Sequence, residues 1–144
     1  MKRLIYILNF VLIFGCTSAS VVEEEEQQVT EVLDKTVRIE ITTLQENDAV
    51  QISYYDYITN THILEQHIFE YDSSGNPIPR IITLDDYDFR YIQGEIYRNN
   101  PIPVQLSLKI YVDDALIIDE SKTGDGTEYI NIGFNYDILK EENI

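Results

Sequence analysis

The chain has one cysteine, Cys16, two histidines, His62 and His67, and 26 Asp and Glu against 10 Lys and Arg. A lone thiol can act as a nucleophile, a metal ligand or an attachment point. Its sequence position bears on which. Cys16 stands behind Leu12-Ile13-Phe14-Gly15, and Lys2 and Arg3 precede an apolar stretch from Leu4 to Phe14. That stretch contains Asn9 and falls well short of the roughly 20 apolar residues a membrane span requires. A basic start, a short apolar run and a small residue together mark a secretory signal, residues 1–15, whose removal leaves Cys16 as the new N-terminus. The competing reading is an ordinary signal with an incidental cysteine, which would leave a free thiol in an oxidising compartment. If Cys16 is modified, no thiol remains for a disulfide, a zinc site or catalysis.

The remaining chemistry-bearing types form no catalytic pattern. Neither a Gly-x-Ser-x-Gly elbow, a phosphate-cradling glycine loop nor a His-Glu-x-x-His pair occurs. His62 and His67 are five residues apart, so on one strand they point to opposite faces and cannot share a metal ion unless the strand bulges between them. The expectation is no enzyme, no metal and no cofactor. Calcium is the one ion with oxygen-rich segments to consider, at Asp72-Ser73-Ser74-Gly75-Asn76 and Asp85-Asp86-Tyr87-Asp88. Neither has the loop spacing that supplies six to eight ligands, and turn formation explains both.

Tyrosine offers a different kind of function. The chain holds 11, all but Tyr6 behind Cys16. Tyrosines pack well across strands, which accounts for many of them. They also give rigid contact area with a polar tip. Tyr55 and Tyr57 follow Gln51 and Ser53 at alternate positions, and Phe89, Tyr91 and Tyr97 alternate with the same phase as Gln93 and Glu95. These mixed faces make Tyr55, Tyr57, Phe89, Tyr91 and Tyr97 the candidate binding surface.

Charge narrows the partners. Removing residues 1–15 takes away Lys2 and Arg3 and no acid, so the net charge moves from −16 to −18. Such a chain is repelled by phosphate backbones and anionic headgroups, which excludes nucleic acid. The charge serves solubility, or else an acidic surface for cations or a basic partner.

The elements that must position these residues read as strands. Residues 16–35 form a tether, with Thr17-Ser18-Ala19-Ser20 followed by Glu23-Glu24-Glu25-Glu26, a composition that stays disordered and extended. A thin helical stripe of Val22, Val29 and Leu33 is the alternative there. From Thr36 the hydrophobic period becomes two. Val37, Ile39 and Ile41 alternate with polar residues, as do Val104, Leu106, Leu108, Ile110 and Val112, and Ile130, Ile132, Phe134 and Tyr136. Further strands are expected over 49–58, 63–72, 88–98 and 115–119, with a short run at 80–84. Asp113-Asp114 makes a tight hairpin turn. About seven short strands in residues 36–144 predict an all-β, immunoglobulin-like antiparallel sandwich with one core.

Two resemblances add to this. The segment from Lys2 to Cys16 resembles the bacterial lipoprotein signal, in which the cysteine receives a diacylglyceryl group and an amide-linked acyl chain. That resemblance implies lipidation of Cys16 and anchoring at the cell envelope. With Thr17 rather than Asp behind the cysteine, it implies the outer membrane over the inner, and the acidic run resembles export tags of surface-exposed lipoproteins. The hairpin Leu108-Lys109-Ile110-Tyr111-Val112-Asp113-Asp114-Ala115-Leu116-Ile117 resembles one in MmpS-type envelope accessory domains, which assist transporters. The expectation is an exported, lipid-anchored, non-enzymatic binding or accessory module with a protein partner in the envelope. The alternative is a structural lipoprotein subunit of an envelope or surface assembly.

Overall fold

A computed structural model describes residues 34–144. Cys16, the signal segment and most of the tether lie outside the described residues. Among the described residues there are nine strands: β1 (Lys35–Thr43), β2 (Ala49–Asp56), β3 (Thr61–Ile68), β4 (Arg80–Tyr87), β5 (Tyr91–Arg98), β6 (Gln105–Val112), β7 (Ala115–Thr123), β8 (Ile130–Asp137) and the two-residue β9 (Glu142–Asn143). They build a four-stranded sheet in the order β4-β1-β6-β7 and a five-stranded sheet in the order β3-β2-β5-β8-β9. All pairings are antiparallel. The fold is an all-β, immunoglobulin-like sandwich.

Alternation along each strand decides which side chains enter the core. Val37, Ile39 and Ile41 of β1, Leu106, Leu108 and Ile110 of β6, and Ile82 and Leu84 of β4 are buried from one sheet. Val50 and Ile52 of β2, Ile92 and Ile96 of β5, and Ile132, Phe134 and Tyr136 of β8 are buried from the other. Each fully buried side chain of this size contributes about 1.5–3 kcal/mol. No disulfide is needed to hold such a core.

Two bulges explain where the strand limits depart from simple periodicity. On β4, Val37 pairs with Leu84 but Lys35 pairs with Tyr87, so one residue is inserted around Asp85 and Asp86. Asp86 takes a positive φ of 54°. The inserted residue flips the phase and turns Tyr87 into the core, so the strand continues past Leu84, where the alternation stops. The second shift, between Ile110 and Tyr111, lies in the β6–β7 hairpin. Its turn residues Asp113 and Asp114 have φ of 48° and 65°, the two-residue turn that matches strand twist. Lys35 donates to Asp113 at 2.7 Å and tacks the start of β1 to that turn.

Ahead of β5, Asp88, Phe89 and Arg90 form a connection rather than the start of a strand, and β3 ends at Ile68 instead of reaching Asp72. Asp72 folds its own loop, accepting the Ser74 and Asn76 backbone N–H groups at 2.8 Å.

Candidate functional site

The outer face of the five-stranded sheet brings Ser53, His62, Glu95, Asn131 and Asn135 together. Register places Ser53 of β2 opposite Leu64 of β3 on one side and Glu95 of β5 on the other. Glu95 in turn faces Gly133 of β8. Tyr55 faces His62, so His62 is the diagonal neighbour of Ser53, two residues along the same face. The Ser53 Oγ and His62 Nε2 atoms are 2.5 Å apart. On the other side of the row, Asn131 Nδ2 donates to Glu95 Oε2 at 2.7 Å.

Small residues at the middle of this row open a shallow groove of about 460 Å³, lined by Ser53, His62, Glu95, Gly133, Asn135 and Ile144. Gly94 and Gly133 are its two glycines and they differ. A Cβ on Gly94 would lie 2.4 Å from the Phe134 ring and 2.3 Å from the Ser53 carbonyl, so packing demands glycine there. A Cβ on Gly133 would meet nothing closer than Asn131 Oδ1 at 3.9 Å, and no positive φ is involved. Gly133 therefore leaves the groove open without any conformational or packing requirement. Beside it, the Asn135 Oδ1 atom is buried with no hydrogen-bond partner among the described residues.

The five aromatic candidates divide. Tyr55, Tyr91 and Tyr97 sit half-buried on this outer face, and none of them is among the residues that line the groove. Tyr55 donates to Asn60 at 2.7 Å, the Arg90 guanidinium lies 5.1 Å from the Tyr91 ring, and Tyr97 meets Tyr129 edge-on at 6.2 Å. Tyr57 and Phe89 belong elsewhere. They stack at 4.5 Å, close on Tyr87, and pack against the core. Both lie outside the strands, in connections that fold over the end of the sandwich, so the alternation that grouped them with Tyr55 and Tyr91 does not reach them. Tyr87 itself is buried, which pushes its hydroxyl far above the ordinary tyrosine range, and it donates to the Tyr91 carbonyl at 2.5 Å.

Among the described residues, no group of three or more His, Cys, Asp or Glu is placed to hold a metal ion. His62 lies on the outer face, whereas His67 meets Phe69 edge-on at 4.8 Å. Burial, followed by the nearby Arg80 charge, lowers the pKa of His67 below its ordinary value.

Spacing alone missed Ser53, His62, Glu95, Gly133 and Asn135 as a group, because they come from four strands. The available signal was parity: Ser53 and Tyr55, like Glu95 and Tyr97, share the polar phase of their strands. The Ser53–His62 pair is a hydrogen-bonding unit on the outer face of the sheet. Ser53 lies in β2 between two paired strands, β3 and β5, so the backbone N–H groups near it serve the sheet rather than a developing oxyanion. No family model matches this chain, and no curated protein or solved structure matches it.

Proposed function

We propose that this chain is an exported, lipid-anchored, non-enzymatic binding or accessory module of the bacterial cell envelope. The lipid on Cys16 holds it at the outer membrane, surface-exposed, and the acidic tether sets its reach. Nineteen tether residues behind the cysteine give a root-mean-square reach of roughly 25 Å, more where like charges stretch them. The domain then offers the outer face of its five-stranded sheet to a protein partner. The observation that supports this reading is the open groove lined by Ser53, His62, Glu95 and Gly133, on the same sheet face as the half-buried Tyr55, Tyr91 and Tyr97.

One feature favours the second reading, a structural subunit. β3 is an edge strand that pairs with β2 through eight consecutive residues without a bulge, and it exposes Leu64 and Ile68. Such an edge accepts another strand readily.

Two measurements test the proposal. Cys16→Ser should move the full-length chain from the membrane to the soluble fraction and remove the mass of the acyl chains; a variant that stays membrane-bound at unchanged mass refutes the anchor. Crosslinking the native protein in its own membrane should recover a transporter or surface complex. Recovery of the chain alone, as multimers, transfers support to the structural subunit.

A further inference from the structure

Resting on the binding-module reading, we infer that the groove at Ser53, Glu95 and Gly133 takes the side chain of a lysine from a polypeptide partner. Three observations converge on it. Gly133 sits mid-strand where glycine costs stability, yet neither φ nor packing requires it. A glycine of that kind keeps space clear for something outside the chain. The Asn135 side-chain oxygen, Oδ1, beside the groove is buried and unpartnered among the described residues, so the amide gains a hydrogen bond by turning toward an incoming donor. Glu95, exposed on the groove floor, has Oε2 held by Asn131, while Oε1 has no hydrogen bond among the described residues.

What the site lacks is therefore a donor, and the charge it presents is negative. A lysine ammonium brings three N–H donors and no acceptor. It also carries the sign that a chain of net charge −16 draws in. Its aliphatic stem can lie along Ile144, an exposed apolar side chain on the groove wall. Tyr55, which faces the lining residue His62, and Tyr97, two residues from Glu95 on β5, are half-buried on the same sheet face and supply contact area for the flanking peptide, which a free amine would leave unused.

The probes are hexalysine, the same peptide fully trimethylated on its side-chain nitrogens, and n-butylamine, each titrated calorimetrically into the full-length protein. Hexalysine should bind at least about tenfold tighter than the trimethylated peptide, which keeps the charge and loses the donors. Gly133→Leu fills the groove at unchanged charge, and Glu95→Gln removes the carboxylate; each should weaken hexalysine by about tenfold or more. Circular dichroism of both variants confirms folding, and Asn135→Leu replaces whichever fails to fold. Equal affinity of native protein and Gly133→Leu would show attraction to the general acidic surface and overturn the assignment, as would no binding at all. Butylamine binding as tightly as hexalysine would overturn the polypeptide source. Membrane crosslinking of Gly133→Leu separates the two levels: an envelope partner captured undiminished keeps the accessory role and removes the groove from it.

Discussion

Three residues apart on β5, Arg98 and Glu95 meet opposite fates. Arg98 points into the sandwich and is fully buried. Its guanidinium donates to Asp48 at 2.7 Å, to Thr43 Oγ1 at 2.7 Å and to the Val104 carbonyl at 2.6 Å. Asp48 accepts in addition from Thr43 at 2.7 Å and from Asn100 at 3.2 Å. This closed network ties the β1–β2 and β5–β6 connections together and leaves no donor or acceptor to a ligand. Glu95 points outward, shares one oxygen with Asn131, and stands beside an orphaned carbonyl and an unneeded glycine. Buried polar groups that are fully satisfied specify structure, whereas partly satisfied ones at a surface are where a partner can add something. The same strand thus builds the scaffold with one face and offers the site with the other.

The largest test of that contrast falls on the closed side. Asp48→Ala leaves the Arg98 charge buried and unpaired and should cost about 3–5 kcal/mol in urea unfolding. A loss under 1 kcal/mol would mean that water reaches Arg98 and that the two regions differ less than their geometry implies.

Gly94→Ala probes the floor between the regions. Its new methyl collides with the Phe134 ring and the Ser53 backbone, so a loss of about 1–3 kcal/mol is expected. Unchanged stability would show that Phe134 swings aside and that the groove floor is soft.

The smallest effect concerns pH. Asp137 accepts from Arg90 at 2.6 Å, with the Lys140 and Leu139 backbone N–H groups adding to the hold, and its carboxyl lies below its ordinary 3.8. A carboxyl lowered in the folded state contributes stability that is complete above about pH 3.8 and is lost as pH falls through the folded value. Asp137→Asn should therefore be less stable than the native chain from pH 5 upward. The difference should close as both are acidified below pH 3.8 in a denaturation series. A difference constant across that range would remove Asp137 from the acid response.

Much of the scaffold was readable residue by residue. Val37, Ile39 and Ile41, and Leu106 to Val112, announce their inward face because a strand's side chains alternate whatever else surrounds them. The Asp113-Asp114 hairpin was legible for a similar reason, since a tight turn is a local event. Tyr87 was not, because a bulge at Asp85 and Asp86 shifts the phase and nothing local signals the inserted residue. Arg98 shares parity with Ile92 and Ile96, which points it inward, but its partner Asp48 lies fifty residues away. Tyr57 and Phe89 read as surface residues by alternation, and the chain leaves the strand before reaching either.

The amino-acid order by itself determined that this domain is made of alternating strands, that its inward side chains suffice for one core, and that the chain is strongly acidic. Those properties depend on neighbours within a few residues or on composition. Which strands lie side by side, and hence whether Ser53, Glu95 and Gly133 fall in one row with His62 and Asn135 beside it, was decided only in three dimensions. The physical reason is that strand register is set by contacts distant along the chain, and a slip of one residue in any of these strands would send that strand's side chains to the opposite face.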